Sequence, residues 1–142
     1  MSLIYKDIYL NYIDNVLTIN YHNSYIGILI KLECWLPNNG YDIKKPFTSN
    51  IRLLSFYSQM DKKIERTIKG ETTKLLYYGL TDLLDKNIIH KNMIMAVEVD
   101  PSLNNNLVKK VYKSIGFNIL AYELNTNNGF TLMYIRIGDL FT

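Results

Sequence analysis

The apolar period of this chain first changes at Gly70, and that change limits the folds open to it. Before it, apolar and polar side chains alternate with a period of two, and β-branched and aromatic residues are prominent. After it, Leu76, Leu80, Leu83 and Leu84 recur at helical spacing in "GETTKLLYYGLTDLLDKN". A chain that starts in strands and then interposes helices builds a sheet with helices packed on its faces, an α/β or α+β fold.

The individual elements follow from local signals. "KDIYLNYI" and "NVLTINYH" read as strands joined by a tight turn at Asp14 and Asn15, and "SYIGILIKLECWL" as a longer strand closed by the turn formers of "PNNGYD". "IRLLSFYSQM" is a further strand. The helix after Gly70 carries Glu71 and Thr72 early and Lys86 late, as its dipole favours, while Gly79 weakens it by about 1 kcal/mol relative to Ala. "NMIMAVEVD" is a continuous apolar run, the mark of a strand covered on both faces. A second helix places Leu107, Val108, Val111, Tyr112 and Ile115 on one face and stops at Gly116. "NILAYEL" and "FTLMYIRI", joined by "NTNNG", close the chain as a hairpin.

With 142 residues and no linker or repeat, the chain reads as a single domain over 1–142. Its 48 % hydrophobic and 20 % charged residues suit a globular core. The net charge of +3 falls short of the basic stripe of a dedicated nucleic-acid binder, and no RNA-binding motif accompanies the tyrosines. One cysteine, Cys34, allows no internal disulfide and points to a reducing, cytoplasmic setting, where it reads as a small buried residue. Lys6 and Asp7 interrupt the first apolar run, and no later one approaches the roughly 20 residues that span a bilayer, so no membrane role is expected. His22 and His90 have no second His or Cys at ligand spacing, so no metal site is expected.

The densest signal is "VEVDPSLNNNLVKKVYKSIGF", Val97 to Phe117, a strand, a Pro-Ser-Asn turn and a helix closed by Gly-Phe. Asn105 lies seven residues before Tyr112, Val108 stands between them, and Gly116-Phe117 ends the helix. The pattern resembles the GCN5-related N-acetyltransferase superfamily, in which a helix reading Asn-x-x-Ala-x-x-x-Tyr closes in Gly-Phe. The resemblance runs from about Ile51 to Ile137. It implies a mixed, mostly antiparallel sheet splayed between its two middle strands, acetyl-CoA as co-substrate, and direct transfer to a primary amine, on a small molecule or a peptide, in a ternary complex.

Such a transfer needs a deprotonated amine, a stabilised oxyanion and a protonated leaving thiolate. A tyrosine hydroxyl, with a reference pKa of about 10 against about 8.5 for a thiol, can hydrogen-bond that sulfur and supply its proton. By resemblance this acid is Tyr112, with Asn105 beside the coenzyme. Glu98, on the preceding strand, matches a general base of some subfamilies; its other reading is a carboxylate facing solvent or pairing with a lysine. The family's diphosphate loop, Gln/Arg-x-x-Gly-x-Gly/Ala, aligns with Thr67, Ile68, Lys69, Gly70, Glu71 and Thr72, with Thr67 in the Gln/Arg place and Thr72 in the final glycine place. Arg66 and Lys69 are the available substitutes. Such a loop works because a helix N-terminus offers free N–H groups and partial positive charge to a phosphate.

The first sixty residues depart from the family, whose members place two helices after the first strand where this chain reads as strands. Together with the altered loop, that departure sustains an alternative: a binding or interaction module that keeps the fold without the catalysis. Terminal strands join subunits in this family, so a homodimer is a further expectation.

Overall fold

The computed structural model describes residues 8–21, 26–37, 40–45, 47–58, 71–100, 105–124 and 129–141. Among the described residues seven strands and two α-helices follow one another in the order the apolar period requires: β1 (Ile8–Ile13), β2 (Val16–Tyr21), β3 (Ile26–Trp35), β4 (Ser49–Ser58), α1 (Glu71–Asp85), β5 (Ile94–Val99), α2 (Asn105–Ile115), β6 (Asn118–Tyr122) and β7 (Thr131–Arg136). The hydrogen-bonding order is β1-β2-β3-β4-β5-β7-β6. β1/β2, β2/β3, β5/β7 and β6/β7 are antiparallel, while β4/β5 is parallel at Ile51 with Met95 and Arg52 with Ala96. The class is therefore mixed α+β with a mostly antiparallel sheet. The strand-rich start of the chain is real: residues 8–13 and 16–21 form a hairpin.

The chain divides into two compact units, residues 1–32 with 54–89, and 33–53 with 90–142. In the first, Asp14 and Asn15 take φ of 53° and 65°, both in the left-handed region that Asp and Asn tolerate best after Gly, and close the β1–β2 hairpin as a type I′ turn would. β2 turns Leu17 and Ile19, and β3 turns Ile28 and Ile30, onto a fully buried face that α1 covers with Leu75, Leu76, Leu80 and Leu83. Gly79 lies where the helix meets that face. A Cβ there would overlap Ile19 Cδ1 and stand 2.9 Å from Ile19 Cγ1 and 3.3 Å from Leu17 Cδ2. The glycine that weakens the helix locally is what lets it sit down on the strand. Gly79→Ala, which gains about 1 kcal/mol of helix propensity, loses about 1–3 kcal/mol to overpacking of a site with no free volume. Urea unfolding should show a net loss of about 1 kcal/mol; a gain would place the helix farther from β2.

α1 ends at Asn87, φ 59°, in a Schellman motif: Ile88 N donates to Leu83 O at 2.9 Å and Asn87 N to Leu84 O at 3.0 Å.

In the second unit β5 is buried on both faces, as its unbroken apolar run requires. Met95, Val97 and Val99 share one face with their β7 partners Ile135, Met133 and Thr131, and Ala96 and Glu98 share the other with Tyr134 and Leu132. α2 packs on the first of these faces, since a Cβ on Gly116 would meet Ile135 Cδ1 at 3.0 Å. The second carries a cluster of Tyr41, Ala96, Ala121 and Leu132, with Trp35, Ile43, Phe47, Leu120 and Phe130 packed against it.

Three expectations are corrected. Cys34 is exposed near the end of β3, although the period of two puts it on the strand face of Ile28 and Ile30. Val111 is 43 % exposed, since the buried stripe of α2 runs through Tyr112 and Ile115 and leaves Val111 beyond its edge. A 3-10 turn, Ile137–Phe141, follows β7 where the sequence read as strand to Ile137.

Candidate functional site

β5 breaks its apolar run at one position, Glu98, and Arg52, Glu33 and Tyr41 of the second unit gather around it. Arg52, whose β4 position pairs with Ala96 two residues before Glu98, sends Nη2 to Glu98 Oε1 at 2.7 Å and Nη1 to Glu33 Oε1 of β3 at 2.9 Å. Two carboxylates thus share one guanidinium. Its central carbon stands 4.1 Å from the centre of the Trp35 ring, two residues along β3 from Glu33, so the fork is fixed by two ion pairs and a cation–π contact.

The other oxygen of Glu98 is held from the loop after β3. Tyr41 forms a single antiparallel bridge with Glu123, flanked by Asp42 N donating to Tyr122 O and Leu124 N donating to Gly40 O, both at 3.0 Å. That pairing extends the β6 end and delivers Tyr41 Oη to Glu98 Oε2 at 2.5 Å. Burial, the bond to Glu98, and the charges of Glu98 and then Glu123 push the Tyr41 phenol well above the ordinary tyrosine range, against a smaller pull from Arg52. At any working pH Tyr41 is therefore a donor. Glu123 in turn accepts from Phe130 N at 2.8 Å, tying the two ends of the β6–β7 hairpin together.

The side chains of Glu33, Arg52 and Glu98 are 27 %, 27 % and 30 % exposed, so the network reaches solvent. Chemically it is a carboxylate with its orientation fixed at both oxygens and an edge left open: it can take a proton or pair with a cation.

Tyr112 occupies a different setting. α2 ends in a Schellman motif, with Phe117 N donating to Tyr112 O and Gly116 N to Lys113 O, each at 3.0 Å, and Gly116 at φ 123°. Such a cap brings together the side chains three residues before the C-cap and two after it; here these are Tyr112 and Phe117, edge to face at 5.3 Å between ring centres. The Tyr-x-x-x-Gly-Phe spacing thus has a complete account as a helix stop. Tyr112 is 6 % exposed, and burial pushes its phenol from the ordinary 10.0 to about 12. α2 packs on the face of β5 opposite to the one bearing Glu98.

A raised phenol pKa has a defined consequence for stability. Between pH 10 and about 12 the unfolded chain has released the Tyr112 proton while the folded chain retains it, so the unfolded state binds fewer protons and stability falls as pH rises. The contribution is fully present below pH 10. Denaturant midpoints should therefore drop through this window, and the drop should shrink in Tyr112→Phe; an equal drop in both would assign it to other groups.

Of the residues singled out by sequence, Glu98 and Tyr112 have described side chains. Asn105, Glu71 and Thr72 open α2 and α1, and their side chains lie outside the described residues, as do Arg66, Thr67, Ile68, Lys69 and Gly70 altogether. Lys62 and Lys63, which make a basic run in the sequence with Arg66 and Lys69, fall outside them too. Sequence reading missed Tyr41, Arg52 and Glu33, which stand 57 and 46 residues from Glu98 and 19 from Arg52 respectively. Their local signal was slight: an arginine and a glutamate inside otherwise apolar strands. No group of His, Cys, Asp and Glu able to hold a metal occurs among the described residues, and no helix among them is long and apolar enough to cross a membrane. Neither a protein-family model, nor a curated protein, nor a solved structure matches this chain.

Proposed function

We propose that the chain is an N-acyltransferase of the GCN5-related kind, moving an acetyl group from acetyl-CoA to a primary amine by direct transfer in a ternary complex. The observation that carries the proposal is Glu98. The residue that the resemblance names as general base is the one polar break in the central strand, and its carboxylate is held by Arg52 and Tyr41 with an edge open to solvent. An oriented carboxylate is what deprotonating an amine requires. Tyr112 would return a proton to the leaving sulfur; a phenol pushed up to about 12 stays protonated and can donate to a thiolate. Arg66 to Thr72, at the start of α1, would hold the diphosphate with Asn105 near the coenzyme. Acceptors in this reading are small-molecule or peptide amines, and the exposed single thiol Cys34 suits a reducing, cytoplasmic setting.

The second reading is a fold-preserving interaction module without catalysis. It is favoured by Tyr112, whose burial and ring contact are those of a helix cap, and by the placement of α2 on the face of β5 opposite Glu98. One assay separates the two. Free thiol released from acetyl-CoA is followed with a panel of a free-N-terminal peptide, an N-blocked lysine peptide, spermidine, glucosamine and kanamycin. Amine-dependent release that is lost in Glu98→Gln supports the enzyme, and release at the amine-free background with every acceptor supports the module.

A further inference from the structure

We infer that Tyr41 is a positioning residue for Glu98: its hydroxyl fixes the carboxylate's orientation. The inference rests on the acyltransferase reading for its consequence in catalysis, and on geometry alone for the coupling of the two side chains.

Glu98 has two oxygens and two donors among the described residues, and the donors differ in kind. Arg52 is itself committed elsewhere, to Glu33 and to the Trp35 ring. It holds Glu98 Oε1 as part of a shared fork. Tyr41 has one proton and gives it to Glu98 Oε2 at 2.5 Å. The loop that carries Tyr41 is fastened by backbone bonds to Tyr122 and Leu124, so the hydroxyl arrives from a fixed frame. A carboxylate held at one oxygen swings about its last torsion; held at both, it presents one defined edge.

Among the described residues the groups facing Glu98 are Arg52 from β4, with Glu33 of β3 behind it, Tyr41 from the loop, Glu123 beside Tyr41 at the end of β6, and Tyr134 on the same face of β7. Glu33 and Glu123 are negative and Arg52 is positive. Tyr41 is the neutral member whose loss removes a hydrogen bond without changing the charge of the cluster. That makes Tyr41→Phe the informative substitution.

The test follows the Glu98 carboxyl carbon by NMR at pH 8 in protein carrying ¹³C-labelled glutamate, with the signal assigned by its loss in Glu98→Gln. In Tyr41→Phe the resonance is expected to move and broaden, as that of a carboxylate released at one oxygen does. In Tyr134→Phe, which removes a phenol that does not bond Glu98, it is expected to stay in place. An unchanged resonance in Tyr41→Phe overturns the inference. The catalytic arm uses acetyl-CoA with the best amine of the panel above. In Tyr41→Phe kcat should fall about tenfold, with the KM for acetyl-CoA unchanged. A resonance that moves while kcat does not would show that Tyr41 orients a carboxylate the reaction ignores, and would overturn the positioning role. Absence of transfer with every amine would defeat the acyltransferase reading instead, and the NMR resonance would still decide the coupling of Tyr41 to Glu98.

Discussion

Replacing Glu98 by glutamine is expected to lower amine-dependent acetyl transfer by about 10²–10⁴-fold, the range that removal of a positioned general base produces. Glutamine matches glutamate in size, and its oxygen can still accept from Arg52. What it loses is the ability to take a proton. The Arg52 ion pair also drops to a single carboxylate, Glu33, and Tyr41 faces an amide in place of an acceptor-only oxygen. The fold should lose only about 1–2 kcal/mol, because all three members of the ion cluster are partly solvated. Steady-state rates at saturating acetyl-CoA, with urea melts of the same preparation, check both halves. A rate within threefold of the parent, about 0.7 kcal/mol of barrier, would remove Glu98 from the chemistry and leave it as a structural carboxylate.

Truncation of Tyr112 has the largest expected effect on stability. Tyr112→Ala deletes a buried ring, its contact with Phe117 and half of the side-chain clasp that closes α2, at a cost of about 3–5 kcal/mol. Tyr112→Phe keeps the ring, the cap and the packing, and should cost less than about 1.5 kcal/mol. The pair of variants separates the two accounts of this residue. If Tyr112 is the acid, Phe lowers kcat without weakening acetyl-CoA binding. If Tyr112 is only the cap, Phe leaves kcat alone and Ala abolishes everything by unfolding α2. Chemical denaturation measures the first quantity, and turnover of the folded Phe variant the second.

The legible parts of this molecule are those written in neighbouring residues. Asp14-Asn15 announces a tight turn because those side chains tolerate positive φ, and Gly116 announces a helix stop for the same reason. The leucines of α1 and the apolar run of β5 name their own elements and their burial. Gly79 shows the limit. Locally it is a defect in a helix, and its purpose appears only when Ile19, sixty positions away, is seen beneath it. The site is hidden in the same way. Glu98 was named by the resemblance, but the identity of its holders depends on which strands pair, and the Arg52 register with Ala96 is a property of the sheet. Tyr41 was masked by abundance, one tyrosine among 12, in a stretch that read as a turn. Cys34 and Val111 were misplaced because an apolar residue at the boundary of a strand face or a helix stripe carries no local sign of which side it joins.

Binding of acetyl-CoA is the claim on which the enzymatic account turns, and equilibrium melting with and without it is the most direct test. At about a hundred times its dissociation constant the ligand adds roughly 2.7 kcal/mol to stability, which for a domain of this size raises the midpoint by roughly 5–10 °C. The account predicts that rise with acetyl-CoA and a comparable one with coenzyme A. An unchanged midpoint at millimolar concentrations of both would contradict it.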